Sequence, residues 1–173
     1  MKRRIYHVIG FVSVVILLDQ LIFAEPAAAQ FTHLSISGAA FICANQAATG
    51  NCASAEFDPT LGAMQNAQGT WAANVSLPEG ARVSALWLCG QFNEVGSSVT
   101  ATLDKDLLLS SSGFPVATAM ATVSSSGASN QTQCFKTNHI TNPVIHNGFD
   151  QYYVVVVVPD NNGVIFTSVQ VLY

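Results

Sequence analysis

His139, His146 and Asp150 are the residues whose types could together hold zinc or move a proton, since imidazoles and carboxylates are the donors such sites use. They flank an expected loop between two strands, and their spacing matches no established metal or catalytic motif. The plainer reading has His139 ending a strand, His146 in the loop and Asp150 turning the chain. A metal-dependent enzyme built on the three is therefore a third-ranked function, and no cofactor or resident metal is expected. Glu94, Asp104 and Asp106, or the Asp160-Asn161-Asn162 turn, offer oxygen ligands for calcium, but neither stretch has the alternating ligands and closing glutamate of an EF-hand. No serine sits in a G-x-S-x-G elbow, so the chain is read as a non-enzyme.

Aromatic rings beside amides form the other chemistry-bearing set, because sugars stack on ring faces and hydrogen-bond to amides. Trp71, Trp87, Phe92, Tyr152, Tyr153 and Tyr173 fall on expected strands, mostly at inward positions. Trp71, next to a long Asn- and Gln-rich loop, and Phe57 within that loop are the ligand-binding candidates.

Cys43, Cys52, Cys89 and Cys134 complete the reactive inventory, and an even count in an exported chain favours disulfides. Of the three connectivities, Cys43 with Cys52 and Cys89 with Cys134 is preferred: the first closes a local loop and the second joins two distant strands. The paired CxxC spacing of a structural zinc site is missing.

The 173 residues suit one domain and a targeting segment. Lys2, Arg3 and Arg4 precede an apolar stretch from Val8 to Leu18, and Ala27-Ala28-Ala29 supplies small residues for cleavage. Residues 1–29 are read as a secretory signal, with retention as an anchor the alternative, and 30–173 as the domain. The stretch is too short for a membrane span, so none is expected after cleavage. Past the signal, three basic residues (Arg82, Lys105 and Lys136) face eight acids, a formal charge of −5. Nucleic-acid binding is excluded, since it needs several phosphates neutralised together. The expected location is extracytoplasmic, periplasmic or secreted.

The elements that must position these residues are strands. Eight are expected: Ser35 to Cys43, Thr70 to Leu77, Arg82 to Phe92, Ser97 to Leu103, Pro115 to Val123, Thr132 to Ile140, Gln151 to Val158 and Val164 to Tyr173. Residues 44–69 read as one long loop, Asp104-Lys105-Asp106 as a solvated turn or strand end, and Ser124 to Gln131 as a polar break. Two tyrosines followed by five valines make Gln151 to Val158 a central strand, expected to be covered on both faces. Arg82 to Phe92, apolar on both faces, is expected to be covered likewise. In the last strand Ile165, Thr167, Val169, Val171 and Tyr173 are expected to share one face. The whole is all-β: a two-layer antiparallel β-sandwich of jelly-roll type, with an eight-stranded barrel as the alternative.

Ile36-Ser37-Gly38-Ala39-Ala40-Phe41, Val75-Ser76-Leu77-Pro78-Glu79-Gly80-Ala81 and the pattern from Asn147 through Tyr152-Tyr153 to Val169-Gln170-Val171-Leu172-Tyr173 carry a resemblance. The chain resembles uncharacterised exported bacterial proteins built from a signal peptide and one β-sandwich. The resemblance implies fold and export and transfers no catalytic residue. Two functions follow: first, a non-enzymatic structural or interaction protein with a protein partner or self-association, and second, a glycan- or small-ligand-binding module.

Overall fold

The computed structural model describes residues 32–44, 52, 55–60, 62–65, 68–93, 98–107, 117–159 and 163–173. The expected signal segment 1–29 lies outside them, as do Glu94 and the 160–162 turn. The strands are β1 (His33–Ser37), β2 (Ile42–Cys43), β3 (Glu56–Asp58), β4 (Ala63–Gln65), β5 (Gly69–Val75), β6 (Ala85–Phe92), β7 (Thr100–Leu107), β8 (Ala117–Ser124), β9 (Ser129–Thr137), β10 (Asp150–Val158) and β11 (Val164–Leu172). Among the described residues no helix is long and apolar enough to cross a membrane.

Among the described residues all pairings are antiparallel and build two sheets. One runs β3-β4-β11-β6-β9, with β1 also on β11, and the other runs β2-β5-β10-β7-β8. Without the short β2, β3 and β4, the orders are β1-β11-β6-β9 and β5-β10-β7-β8. This is the jelly-roll sandwich, and no sheet closes into the alternative barrel. The first and last described residues are paired, with Thr32 and Tyr173 exchanging both backbone hydrogen bonds at 2.9 Å.

The core lies between the sheets, where burial of apolar surface drives folding. Leu86, Leu88, Val169, Val171 and Phe166 from one sheet meet Ala101, Leu103, Val154 and Val156 from the other, all fully buried. The Phe41 ring meets Phe166 edge-on at 5.3 Å.

Several expectations give way to backbone irregularity. The stretch from Ser35 to Cys43 is two strands in different sheets, joined by a 3-10 turn at Gly38–Ala40. A side chain at Gly38 would stand 2.9 Å from the Phe166 carbonyl oxygen, so the crossover needs glycine. The expected 44–69 loop contains the β3-β4 hairpin, which extends β11 through Ile165↔Gln65. Asp104-Lys105-Asp106, expected as a solvated turn or strand end, form the end part of β7 and are paired on both sides. Ser129 to Gln131, expected in the polar break, begin β9.

Two β-bulges reset the alternation. In β8 the extra residue is Met120, opposite the step from Leu103 to Asp104 of β7, so Met120 and Ala121 are both buried. In β11 the register moves between Phe166 and Ser168, and the inward set becomes Val164, Phe166, Val169 and Val171 in place of one running through Ile165 and Thr167. Gly90 admits this bulge, since a Cβ there would lie 2.9 Å from the Phe166 Cα.

β10 is covered on one face only, whereas six of the eight β6 residues are buried, Ala85 and Cys89 on its outer face among them. On β10, Tyr152, Val154, Val156 and Val158 are buried, whereas Gln151 and Val157 are exposed and Tyr153 and Val155 half-buried. On β6, Trp87 faces outward, half-buried, with the Lys136 ammonium 5.1 Å from its ring centroid. Edge sheets of a two-layer sandwich have no third layer to cover the outer side.

Candidate functional site

The expected cysteine pairs are both formed: Cys43 bonds Cys52 and Cys89 bonds Cys134. Cys89 and Cys134 lie directly opposite on neighbouring β6 and β9, with Cα atoms 4.1 Å apart, so this bond staples strands within one sheet.

Trp71 is 5% exposed in the core, and its expected stacking role gives way because β5 turns that side chain inward between Cys43 and Val156. Phe57 is 47% exposed on the β3-β4 hairpin, apart from either cleft described below.

His139, His146 and Asp150 do not assemble into a metal or proton-transfer site. His139 is exposed beyond the end of β9, its backbone N–H donating to the Thr137 hydroxyl. His146 is exposed, with Nδ1 3.7 Å from a Glu79 carboxylate oxygen. Asp150 points inward and accepts from the Lys105 ammonium at 3.0 Å. Among the described residues no group of three or more His, Cys, Asp or Glu is placed to hold a metal ion. Asp104 and Asp106 lie within β7, on its outer side, and form no calcium turn. There Tyr153 donates to Asp106 at 3.2 Å.

What the fold assembles instead is a pair of clefts, one where β5 ends and β10 begins and one between Lys105 of β7 and the segment 142–146. The first has a volume of about 350 Å³ and is lined by Asn74, Val75, Ser76, Asn147, Asp150, Gln151 and Tyr152. The second, about 440 Å³, is lined by Lys105, Asn142, Pro143, Val144 and His146. The Lys105–Asp150 pair forms the partition, one partner lining each cleft.

The segment that supplies both walls is held from several directions. The His146 N–H donates to the Tyr152 hydroxyl at 2.8 Å, and that hydroxyl donates to Asp150 at 3.3 Å. The Phe149 and Asp150 N–H groups both donate to the His146 carbonyl. The Asn147 side-chain amide donates to the Leu77 carbonyl at 2.8 Å, and its backbone N–H to Glu79. The turn from Pro78 to Ala81 therefore acts as a strut, with Gly80 at φ +74° allowing its tight geometry.

Burial dominates the electrostatics. It pushes the Tyr152 phenol up, partly offset by the His146 N–H that would stabilise a phenolate. Burial followed by the charges of Asp106 and Asp104 pushes Tyr153 up to about 12. Asp104 is held above the usual carboxylate range by burial and then by Asp106. Both tyrosines therefore stay neutral hydrogen-bonding groups at physiological pH.

Lys105, Asn74, Ser76, Asn147, Gln151 and Tyr152 were not legible as a site because they are ordinary polar residues from three separate chain regions. The available signal was the polar approach to β10, where Asn147, Asp150 and Gln151 crowd against the start of an apolar run.

No protein-family model and no curated protein matches the chain. Three solved structures illustrate what it is similar to. The first is a domain, named CBM36-1, of a multidomain xylanase from the hindgut metagenome of Trinervitermes trinervoides. It is 11% identical, with a TM-score of 0.45, over 82% of this chain and 97% of that one. The second is the CBM22-2 xylan-binding domain from Paenibacillus barcinonensis, 12% identical, with a TM-score of 0.43, over 87% and 91%. Against a Clostridium thermocellum xylanase fragment with CBM22-1 and GH10 modules, identity is 10% and the TM-score 0.43. The match covers 64% of this chain and spans 21% of that one. The sandwich assignment itself stands on the strand pairing.

Proposed function

We propose that the chain is an exported, non-enzymatic carbohydrate-binding module, with the signal segment 1–29 removed and the domain 30–173 working outside the cytoplasm. The observation that carries the reading is the first cleft. It is lined by three amide-bearing residues (Asn74, Asn147 and Gln151), by Ser76 and by Asp150, beside a tyrosine. Amides both donate and accept, which suits a ligand whose surface is an array of hydroxyls. The hydrogen bonds that fix Asn147 and Tyr152 hold these groups before a ligand arrives, which lowers the ordering cost of binding. Two disulfides fit an oxidising compartment.

The test is calorimetric titration of the domain with xylo-, cello- and chito-oligosaccharides, with an Asn74→Ala, Gln151→Ala double variant as control. Two hydrogen bonds at about 1 kcal/mol each predict roughly 30-fold weaker binding by the variant. Its melting temperature should be unchanged, because Asn74 and Gln151 are both exposed. No binding by the parent domain to any of the three series, or equal binding by the variant, would overturn the reading.

A structural or self-associating role has one observation of its own. Edge strand β9 is exposed on both faces from Asn130 to Cys134, and an exposed edge can pair with another strand. Sedimentation showing concentration-dependent oligomers that Thr132→Pro abolishes would favour that role; a monomer at all concentrations would dismiss it.

A further inference from the structure

We infer that the second cleft is an acetamido subsite, so that the ligand is a glycan bearing N-acetyl groups. This inference rests on the carbohydrate-binding reading and specifies its ligand class. The cleft combines two chemistries that plain sugar hydroxyls do not answer together. One is a hydrogen-bond donor: the Lys105 ammonium carries three N–H groups, and among the described residues it makes one hydrogen bond, to Asp150 at 3.0 Å. The other is an apolar wall formed by Pro143 and Val144, both half-buried. Asn142 and His146 complete the lining.

An acetamido group presents a strong carbonyl acceptor and a methyl group side by side, matching donor and wall. An anionic ligand fits less well. Asp150 already neutralises Lys105, Glu79 stands beside His146, and the domain carries a formal charge of −5.

The wall is also rigid. Val83 donates to the Pro143 carbonyl at 2.9 Å, Ile145 to Ala81 at 2.9 Å, and Thr141 to Met120 at 2.7 Å. Asn142 sits at φ +50°, in the left-handed region that Asn and Gly tolerate. His146 lines the second cleft and the next residue, Asn147, lines the first, so neighbouring units of one oligosaccharide can occupy both sides of the Lys105–Asp150 partition.

Chitotetraose and cellotetraose differ at C2, acetamido against hydroxyl, and are the probes. Calorimetry on the full domain should show chitotetraose binding at least about tenfold tighter, the value of one charge-assisted hydrogen bond at the low end of its range. Asn142→Gly, which keeps the left-handed backbone, and His146→Ala, at an exposed side chain, leave the fold intact. Each should narrow the preference to less than about threefold, on the loss of one lining contact. Equal affinity for the two probes, or a preference for cellotetraose, would sink the subsite while leaving the carbohydrate-binding reading in place. Preference undiminished in both variants would move the acetamido site elsewhere and sink it too. Absence of binding to any glycan removes both.

Discussion

Replacing Lys105 by Met removes an ammonium while keeping an unbranched apolar stem of similar reach, and so isolates the charge between the clefts. In the parent protein Asp150, with 5% of its side chain exposed, accepts from Lys105 at 3.0 Å and from the Tyr152 hydroxyl at 3.3 Å. The variant leaves that carboxylate with the phenol alone. Removing one partner of a buried pair typically costs 3–5 kcal/mol, and Lys105, at 22% exposed, admits some water, so about 3 kcal/mol is expected. With a urea m-value of about 2 kcal/mol/M, the unfolding midpoint should fall by roughly 1.5 M. The double variant Lys105→Met, Asp150→Leu removes both charges and should recover most of the loss, because an apolar pair has no uncompensated charge to bury. The coupling energy from this cycle should exceed about 1.5 kcal/mol. A single variant that loses less than about 0.5 kcal/mol, or a double variant as unstable as the single, would refute the account of a desolvated partition.

Gly90→Ala should lower the melting temperature by about 3–10 °C, corresponding to roughly 1–3 kcal/mol of overpacking, since the new methyl meets the backbone of β11 at its bulge. Differential scanning calorimetry reads this directly. Replacing Cys89 and Cys134 together by Ala should cost about 4 kcal/mol in the chain-entropy model, and Cys43 with Cys52 about 2.6, so the strand staple is the more costly loss in chemical denaturation. Asp104 has its folded pKa raised above 3.8, so the folded state binds the extra proton and stability is lost as pH rises from 3.8 through the folded value. Asp104→Asn should abolish that loss and be more stable than the parent at pH 7 in urea melts. Tyr153, likewise raised, costs stability as pH climbs from 10 to about 12, and absorbance at 295 nm should show a late-titrating tyrosine that Tyr153→Phe removes.

The jelly-roll was legible because its signals are local. The valines of β10 and the Val99, Ala101, Leu103 alternation state strand and facing in adjacent residues, and the structure buries Val99, Ala101 and Leu103 as that alternation requires. What was lost depends on contacts far along the chain. A bulge at Thr167 is invisible until Gly90 is known to lie opposite, and it alone decides that Phe166 turns into the core. Asp104-Lys105-Asp106 reads as solvated by composition, yet Lys105 is drawn inward by Asp150, which lies 45 residues on. The clefts were hidden for the same reason. Asn74 and Gln151 meet only because β5 pairs with β10, and His146 was set beside Asp150 in sequence while its side chain turns toward Glu79.

The within-sheet staple also governs how the domain responds to being pulled. Thr32 and Tyr173 are hydrogen-bonded neighbours, so tension applied to the two ends loads the β1-β11 ladder one rung at a time, as a zipper opens. Unravelling cannot release the chain between Cys89 and Cys134, because force passes through the sulfur bridge and bypasses β7 and β8. With a sequence separation of 45, that bypass withholds about 150 Å of contour length from an extending molecule. An oxidised domain would thus yield easily at its ends and then stop short, a limited tether whose reach lengthens when the bridge is reduced.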